Sequence, residues 1–200
     1  MTELVLRNRQ RTRAVNSSLL RRVTCVLLTD LLLLERCELA IHLVAAPEMT
    51  RVNQQFLDHA GSTDVITFDY SSPMSGREGD DGPSSQRPDS TAVKGRATHL
   101  AEGIHGEIFI CIDDAVKQAR QFRTTWQSEV VRYLIHGVLH LVGYDDLAAA
   151  SRRVMKREEN RLLRMLSRKF SLRHLANAAA PVVNRKSGCL CFLEQTGACN

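Results

Sequence analysis

Aromatic side chains are scarce in this chain, at 5% Phe, Trp and Tyr, and there is no CxxC pair, no internal repeat and no long apolar run. Each absence narrows the reading. With so few rings, most of them at positions that read as core, a surface that stacks base after base is not expected. The apolar stretch from Val23 to Leu34 is interrupted by Thr24, Thr29 and Asp30, too short and too polar to span a bilayer. No secretory signal is legible, so a reducing cytoplasm is expected. Among six cysteines, Cys25, Cys37 and Cys111 lie in apolar runs and read as small buried hydrophobes. Cys189, Cys191 and Cys199 have no matching histidines, a poor fit to a zinc knuckle. Strong charge of one sign is also missing: 27 Lys and Arg against 22 Asp and Glu give +5, which suits a polyanionic partner without requiring one.

What is present fits one globular domain. A hydrophobic fraction of 44% over 200 residues is enough for a single buried core. The basic residues cluster, with Arg7, Arg9, Arg11, Arg13, Arg21 and Arg22 near the N-terminus and Arg161, Arg164, Arg168, Lys169 and Arg173 near the C-terminus. Guanidinium groups pair with phosphate oxygens, so the two stripes can guide an RNA backbone or can be solvated faces.

Periodicity predicts a helix from Asn16, a possible cap, to about Leu34, then a strand with Leu39, Ile41, Leu43 and Ala45 alternating. Pro47 can open a helix whose buried face is Met49, Val52 and Phe56. Val65–Phe68 reads as a strand. Residues 71–100, rich in Ser, Gly, Pro and Asp, read as a flexible loop insertion. Gly106–Ile112 is a further strand. Asp113 is a candidate cap for a helix carrying Ala115, Val116, Ala119 and Phe122. Two more helices are expected, Thr125–Val142 with Val130, Leu134, Val138 and Leu141 in one stripe, and Leu147–Phe170 with Met155, Leu162 and Leu166. The expected architecture is a mixed α/β (α+β) domain over 1–170, one sheet with helices packed on it, followed by a loosely ordered extension over 171–200.

The chemistry is concentrated in His136-Gly137-Val138-Leu139-His140-Leu141-Val142-Gly143-Tyr144-Asp145-Asp146. Residues four apart share a helix face, so His136 and His140 can point nitrogens at one cation. Gly143 ends the helix and lets the chain turn back with Asp145 or Asp146. Two imidazoles, a carboxylate and an open position form a catalytic zinc arrangement. Burying two imidazoles among Val138, Leu139, Leu141 and Val142 requires partners, and a metal supplies them. The glutamate base that HExxH proteases carry after the first histidine is absent, because that position is Gly137.

HGVLHLVGYDD resembles the signature of the YbeY endoribonucleases. Asn53–Phe68 (NQQFLDHAGSTDVITF) and Gly106–Ala119 (GEIFICIDDAVKQA) are similar to further blocks of that family in order and spacing, and Glu129 occupies an acidic position before the histidine helix. The likeness covers about residues 38 to 166 apart from 71–100. It implies a single-strand-specific, zinc-dependent endoribonuclease of ribosomal RNA maturation and ribosome quality control. One Zn2+ would be held by His136, His140 and Asp146, with single-stranded ribosomal RNA and the small ribosomal subunit as partners, and neither DNA nor membrane. The family's third ligand is usually a histidine ten residues after the first. Asp146 stands there, which favours it over Asp145 and leaves Asp145 as an outer partner. Leu57 replaces an arginine found in many members, and nearby His59 is either its stand-in or an exposed loop histidine. Asp64, Asp145 and His59 are candidate bases, no catalytic residue is assigned, and water and the ribose 2′-OH both remain as nucleophile. Backbone-led binding with weak sequence preference is expected. The alternative is a non-catalytic, zinc-containing assembly factor that binds RNA. A zinc hydrolase of peptides or esters is disfavoured by Gly137 and the basic stripes.

Overall fold

The alternating apolar runs become strands, and one further strand forms where charge hides the pattern. The computed structural model describes residues 2–57, 60–71 and 103–176. The 71–100 insertion beyond Ser71, His59, and the chain after Ala176 with its three cysteines lie outside these residues. Among the described residues, four strands form one sheet: β1 (Thr2–Asn8), β2 (Cys37–Val44), β3 (Val65–Asp69) and β4 (Ile104–Cys111), in the order β1-β2-β4-β3. β1, β2 and β4 run parallel, with Leu4 opposite Leu39 and Ile41 opposite Ile108; β3 is an antiparallel edge with Thr67 opposite Ile108. Within β1, Leu4 and Leu6 face the core while Glu3, Val5 and Arg7 alternate outward, so part of the N-terminal arginine stripe is the wet face of an edge strand.

Among the described residues, five α-helices accompany the sheet: α1 (Ser17–Val26), α2 (Ala46–Leu57), α3 (Ile112–Phe122), α4 (Trp126–Leu141) and α5 (Ala149–Lys169). Asn16 caps α1 as predicted, its side-chain oxygen accepting from the Leu19 N–H at 2.9 Å. The helix predicted to reach Leu34 leaves α geometry at Leu27, where a π-turn runs to Leu31. After Lys169 the chain adds a short 3-10 turn, Leu172–Ala176, that buries Leu172 and Leu175. Two faces differ from the helical-period reading. Met49 is fully buried, but Phe56 is 57% exposed and packs edge-on against Phe68; Phe122 is 62% exposed because α3 ends there, at the left-handed residue Arg123. Asp113 does not cap α3, whose cap position is Cys111. It lies in the first turn and ties α2 and the N-terminal loop to it, accepting from the Ala46 N–H at 2.6 Å and Thr12 Oγ1 at 2.7 Å.

The main core lies between the sheet and α1, α4 and α5, with Leu20, Ile41, Ile108, Leu134, Val138 and Leu162 fully buried. Helix α4 crosses β3 and β4 closely enough to require glycine on both sides. A Cβ on Gly106 would stand 2.8 Å from Leu141 Cδ2 of α4, and one on Gly137 would stand 2.9 Å from Ile108 Cγ2. This close seat fixes the height and rotation of the helix that carries the histidines. Burial pushes the Cys37 and Cys111 thiols up to about 12, so neither is a ready ligand or nucleophile.

Candidate metal centre

Helix α4 starts at Thr125, whose hydroxyl accepts from the Ser128 N–H at 3.3 Å. Most of its length is apolar and buried, but Glu129, Arg132, His136 and His140 form a polar row at three- and four-residue steps. Gly137 faces the sheet, against Ile108 and Thr67, so any side chain at this position would point into the core and away from the row. The helix closes with a Schellman turn: the Tyr144 N–H donates to the Leu139 carbonyl and the Gly143 N–H to the His140 carbonyl, both at 2.9 Å, with Gly143 at φ +87°. That turn returns Asp146 to the histidines.

His136, His140 and Asp146 each present a ligand atom, all within 4.8 Å of one another. His136 Nε2 and His140 Nε2 face each other at 3.1 Å, and Asp146 Oδ2 lies 3.9 Å from His136 Nε2. The opposite ring nitrogens have acceptors. His140 Nδ1 meets the Tyr144 carbonyl oxygen at 3.1 Å, and His136 Nδ1 meets Glu159 Oε2 at 3.4 Å. Acceptors at both Nδ1 atoms put the ring protons there and leave both Nε2 atoms with lone pairs directed at one point. Two facing lone pairs repel unless a cation stands between them. A tetrahedral ion about 2.0–2.1 Å from each nitrogen would set them roughly 3.3 Å apart, close to what the rings already adopt. Burial, and then the neighbouring His136 ring, hold His140 below the usual histidine range and therefore neutral, as a ligand must be. The donor set fits a metal ion.

Glu159, from α5, is the anchor that sequence reading missed. Its carboxylate is buried and is held by His136, by Lys156 Nζ at 2.9 Å and by Arg132, which also reaches Asn160 at 2.9 Å and Glu129 at 3.4 Å. Burial alone would raise this carboxyl; hydrogen bonds from His136, Lys156 and Arg132 outweigh it and bring it down to about 2. One signal was legible: Glu159 interrupts an otherwise apolar row, Met155, Leu162 and Leu166, at helical spacing. Glu129 is buried too, accepting from Thr124 Oγ1 at 2.5 Å, and belongs to the same network.

The donors open on two hollows. One, about 310 Å3, runs beside the edge strand past Thr67 and Asp69; the other, about 660 Å3, lies among α3, α4 and α5, with Asp64, Arg152 and Lys156 in its wall. Of the candidate bases, Asp64 faces the larger hollow with His136. Asp145 is exposed and accepts from the Leu147 N–H at 3.0 Å, a local turn contact. His59 and the Leu57 side chain lie outside the described residues.

A mixed four-stranded sheet backing a helix with two histidines, with a carboxylate returned to them by the next turn, defines a small α+β protein with three donors that could hold a metal ion. A model of the endoribonuclease YbeY family matches residues 5–167, and the chain belongs to that family. It is 37% identical over 113 residues to the endoribonuclease YbeY of Salinibacter ruber, covering 56% of this chain and 60% of that protein. Its identity to the Phocaeicola vulgatus endoribonuclease YbeY is 32% over 130 residues, covering 65% and 74%. The chain thus spans less than two thirds of the length of several relatives it matches. The solution structure of TM1509 from Thermotoga maritima shares the fold, with a TM-score of 0.55 at 19% identity over 91% of this chain and 99% of that one. Among the described residues no helix is long and apolar enough to cross a membrane.

Proposed function

We propose that the chain is a single-strand-specific, zinc-dependent endoribonuclease. The observation that carries this reading is the convergence of three protein donors, and among the described residues not four, with His136 and Asp146 in the wall of a cavity large enough for a nucleotide. Structural zinc sites are closed by four protein ligands, whereas catalytic ones keep a position open. His136, His140 and Asp146 hold the ion. Once bound, it would supply Lewis-acid polarisation of a phosphate oxygen and a lowered pKa for water. Glu159 fixes the His136 ring and the Tyr144 carbonyl fixes His140, so the donors need little rearrangement. Arg152 and Lys156, in the same cavity wall, offset charge that builds on the phosphate oxygens. Asp64 is the carboxylate best placed to accept a proton from the attacking group, be it water or the ribose 2′-OH; a 2′,3′-cyclic phosphate end identifies the latter.

Ribosomal RNA as substrate, action with the small ribosomal subunit in rRNA maturation and quality control, and a cytoplasmic site all follow the family resemblance. Zinc is the ion the family resemblance implies; two imidazoles and one carboxylate also suit iron or manganese. The test is Asp146→Ala: bound zinc should fall well below one ion per chain, and cleavage of single-stranded RNA by at least the roughly 10- to 100-fold that even an outer partner of a metal ligand is worth. Unchanged zinc content and cleavage would remove Asp146 from the site. Full zinc content and RNA binding without cleavage by the parent protein would support the non-catalytic assembly factor instead.

A further inference from the structure

The larger hollow exceeds what an ion and its surroundings occupy, and its far wall takes no part in holding the donors. That wall contains Phe122, Gln118 and Tyr133, and two of its features are unexplained by the fold. Phe122, where α3 leaves the core, is 62% exposed at the cavity. Tyr133 is only 5% exposed, but its hydroxyl has no hydrogen-bond partner. Gln118 Oε1 is also buried without a partner. Buried polar atoms are nearly always paired, so two orphans in one cavity wall, beside an exposed ring, point to a ligand with an apolar face and a polar edge. Burial, then the charges of Asp64, Glu129 and Asp114, push the Tyr133 hydroxyl above its usual range and keep it a protonated donor.

We infer that this cavity is a nucleotide subsite, in which a base of the RNA stacks on Phe122 and turns its hydrogen-bonding edge to Tyr133 and Gln118. The inference rests on the RNA reading above and adds base selectivity to it, a departure from the backbone-led binding expected from the low aromatic content. On the Tyr133 side, away from Arg152 and Lys156, the wall offers two acceptors, Gln118 Oε1 and the Asp64 carboxylate, beside the Tyr133 hydroxyl as donor. It therefore favours bases that offer an amino group over uracil, whose edge sets two carbonyls around a single N–H. Both orphan oxygens are covered in this structure, and half-buried Gln118 is the side chain that turns to admit the edge.

The test is fluorescence anisotropy of the full-length protein in EDTA, which prevents cleavage, with short fluorescein-labelled single strands of oligo(A), oligo(C) and oligo(U) at one salt concentration. Oligo(A) and oligo(C) should bind at least about fivefold more tightly than oligo(U). Phe122→Ala should weaken both by about tenfold, the effect of losing one stacked base, while Phe122→Trp retains them. Because Phe122 is exposed, neither change threatens folding. Tyr133→Phe removes only the hydroxyl, and should bring the three probes within about twofold of each other at unchanged thermal stability. Equal affinity for all three probes, Phe122→Ala within about twofold of the parent, or no measurable binding would each overturn the subsite. Zinc-restored cleavage alongside binding indifferent to Phe122 would sink this inference and leave the ribonuclease reading standing. Phe122-dependent, base-selective binding without cleavage would do the reverse.

Discussion

At the scale of single residues, the site depends on which nitrogen of each histidine carries the proton. His136 is oriented by Glu159, a carboxylate from another helix that is itself held by Arg132 and Lys156. A hydrogen bond from a metal-binding imidazole to a buried carboxylate fixes the ring and increases its basicity, and its loss costs roughly 10- to 100-fold in metal affinity. Glu159→Ala is therefore expected to weaken zinc binding by about that factor in competition with a chromophoric chelator, while Glu159→Gln, which keeps an acceptor oxygen, recovers most of it. Equal affinities for parent and Glu159→Ala would mean that the contact is structural only. The histidine pair and Asp146 were legible because their spacing acts within one helix and one turn. Glu159 was not, since its meeting with His136 depends on how α5 packs on α4, which period alone does not fix.

At the scale of elements, the close seat of α4 on the sheet does the positioning. Replacing a helix-interior glycine with alanine ordinarily stabilises by about 1 kcal/mol. At Gly137 the added methyl meets Ile108 Cγ2 at 2.9 Å and Thr67 Oγ1 at 3.1 Å, and overpacking a tight core costs about 1–3 kcal/mol. The steric cost wins. Gly137→Ala is expected to lower stability by up to about 2 kcal/mol in urea unfolding and to weaken zinc binding by lifting His136 and His140 off their setting. A more stable variant with unaltered zinc affinity would contradict this account of the glycine. The extents of α4 and α5 were readable to within about two residues from their apolar stripes and from Gly143, as were β2 from alternation and β3 from its β-branched and aromatic run. β1 was obscured because arginines on its wet face suggest a phosphate-binding stripe, and at Phe56 and Phe122 the period continues past the point where the helices leave the core.

Over the whole molecule, many cations of the two basic stripes are already paired locally. Arg9 meets Glu48, Lys169 meets Asp30 at 3.1 Å, Arg161 meets Glu158, and Arg22 lies over the Phe170 ring at 5.8 Å. Exposed ion pairs are worth less than about 1 kcal/mol, so a polyphosphate backbone can exchange with them. The cations fixed at the chemistry are others, Arg132, Arg152 and Lys156, none of which the clustering of basic residues had singled out. On the function proposed above, charge so distributed would make the stripes act on how RNA arrives and the cavity on what is cut.

The central claim joins a metal held by His136, His140 and Asp146 to the breaking of RNA. Its most direct test follows cleavage of a labelled single-stranded RNA by the full-length protein, first stripped by a chelator and then given zinc, beside the His136→Ala/His140→Ala double variant. The account predicts cleavage that stops on chelation, returns with zinc, and stays absent from the folded double variant. Cleavage that survives chelation, or that the double variant retains, would contradict it.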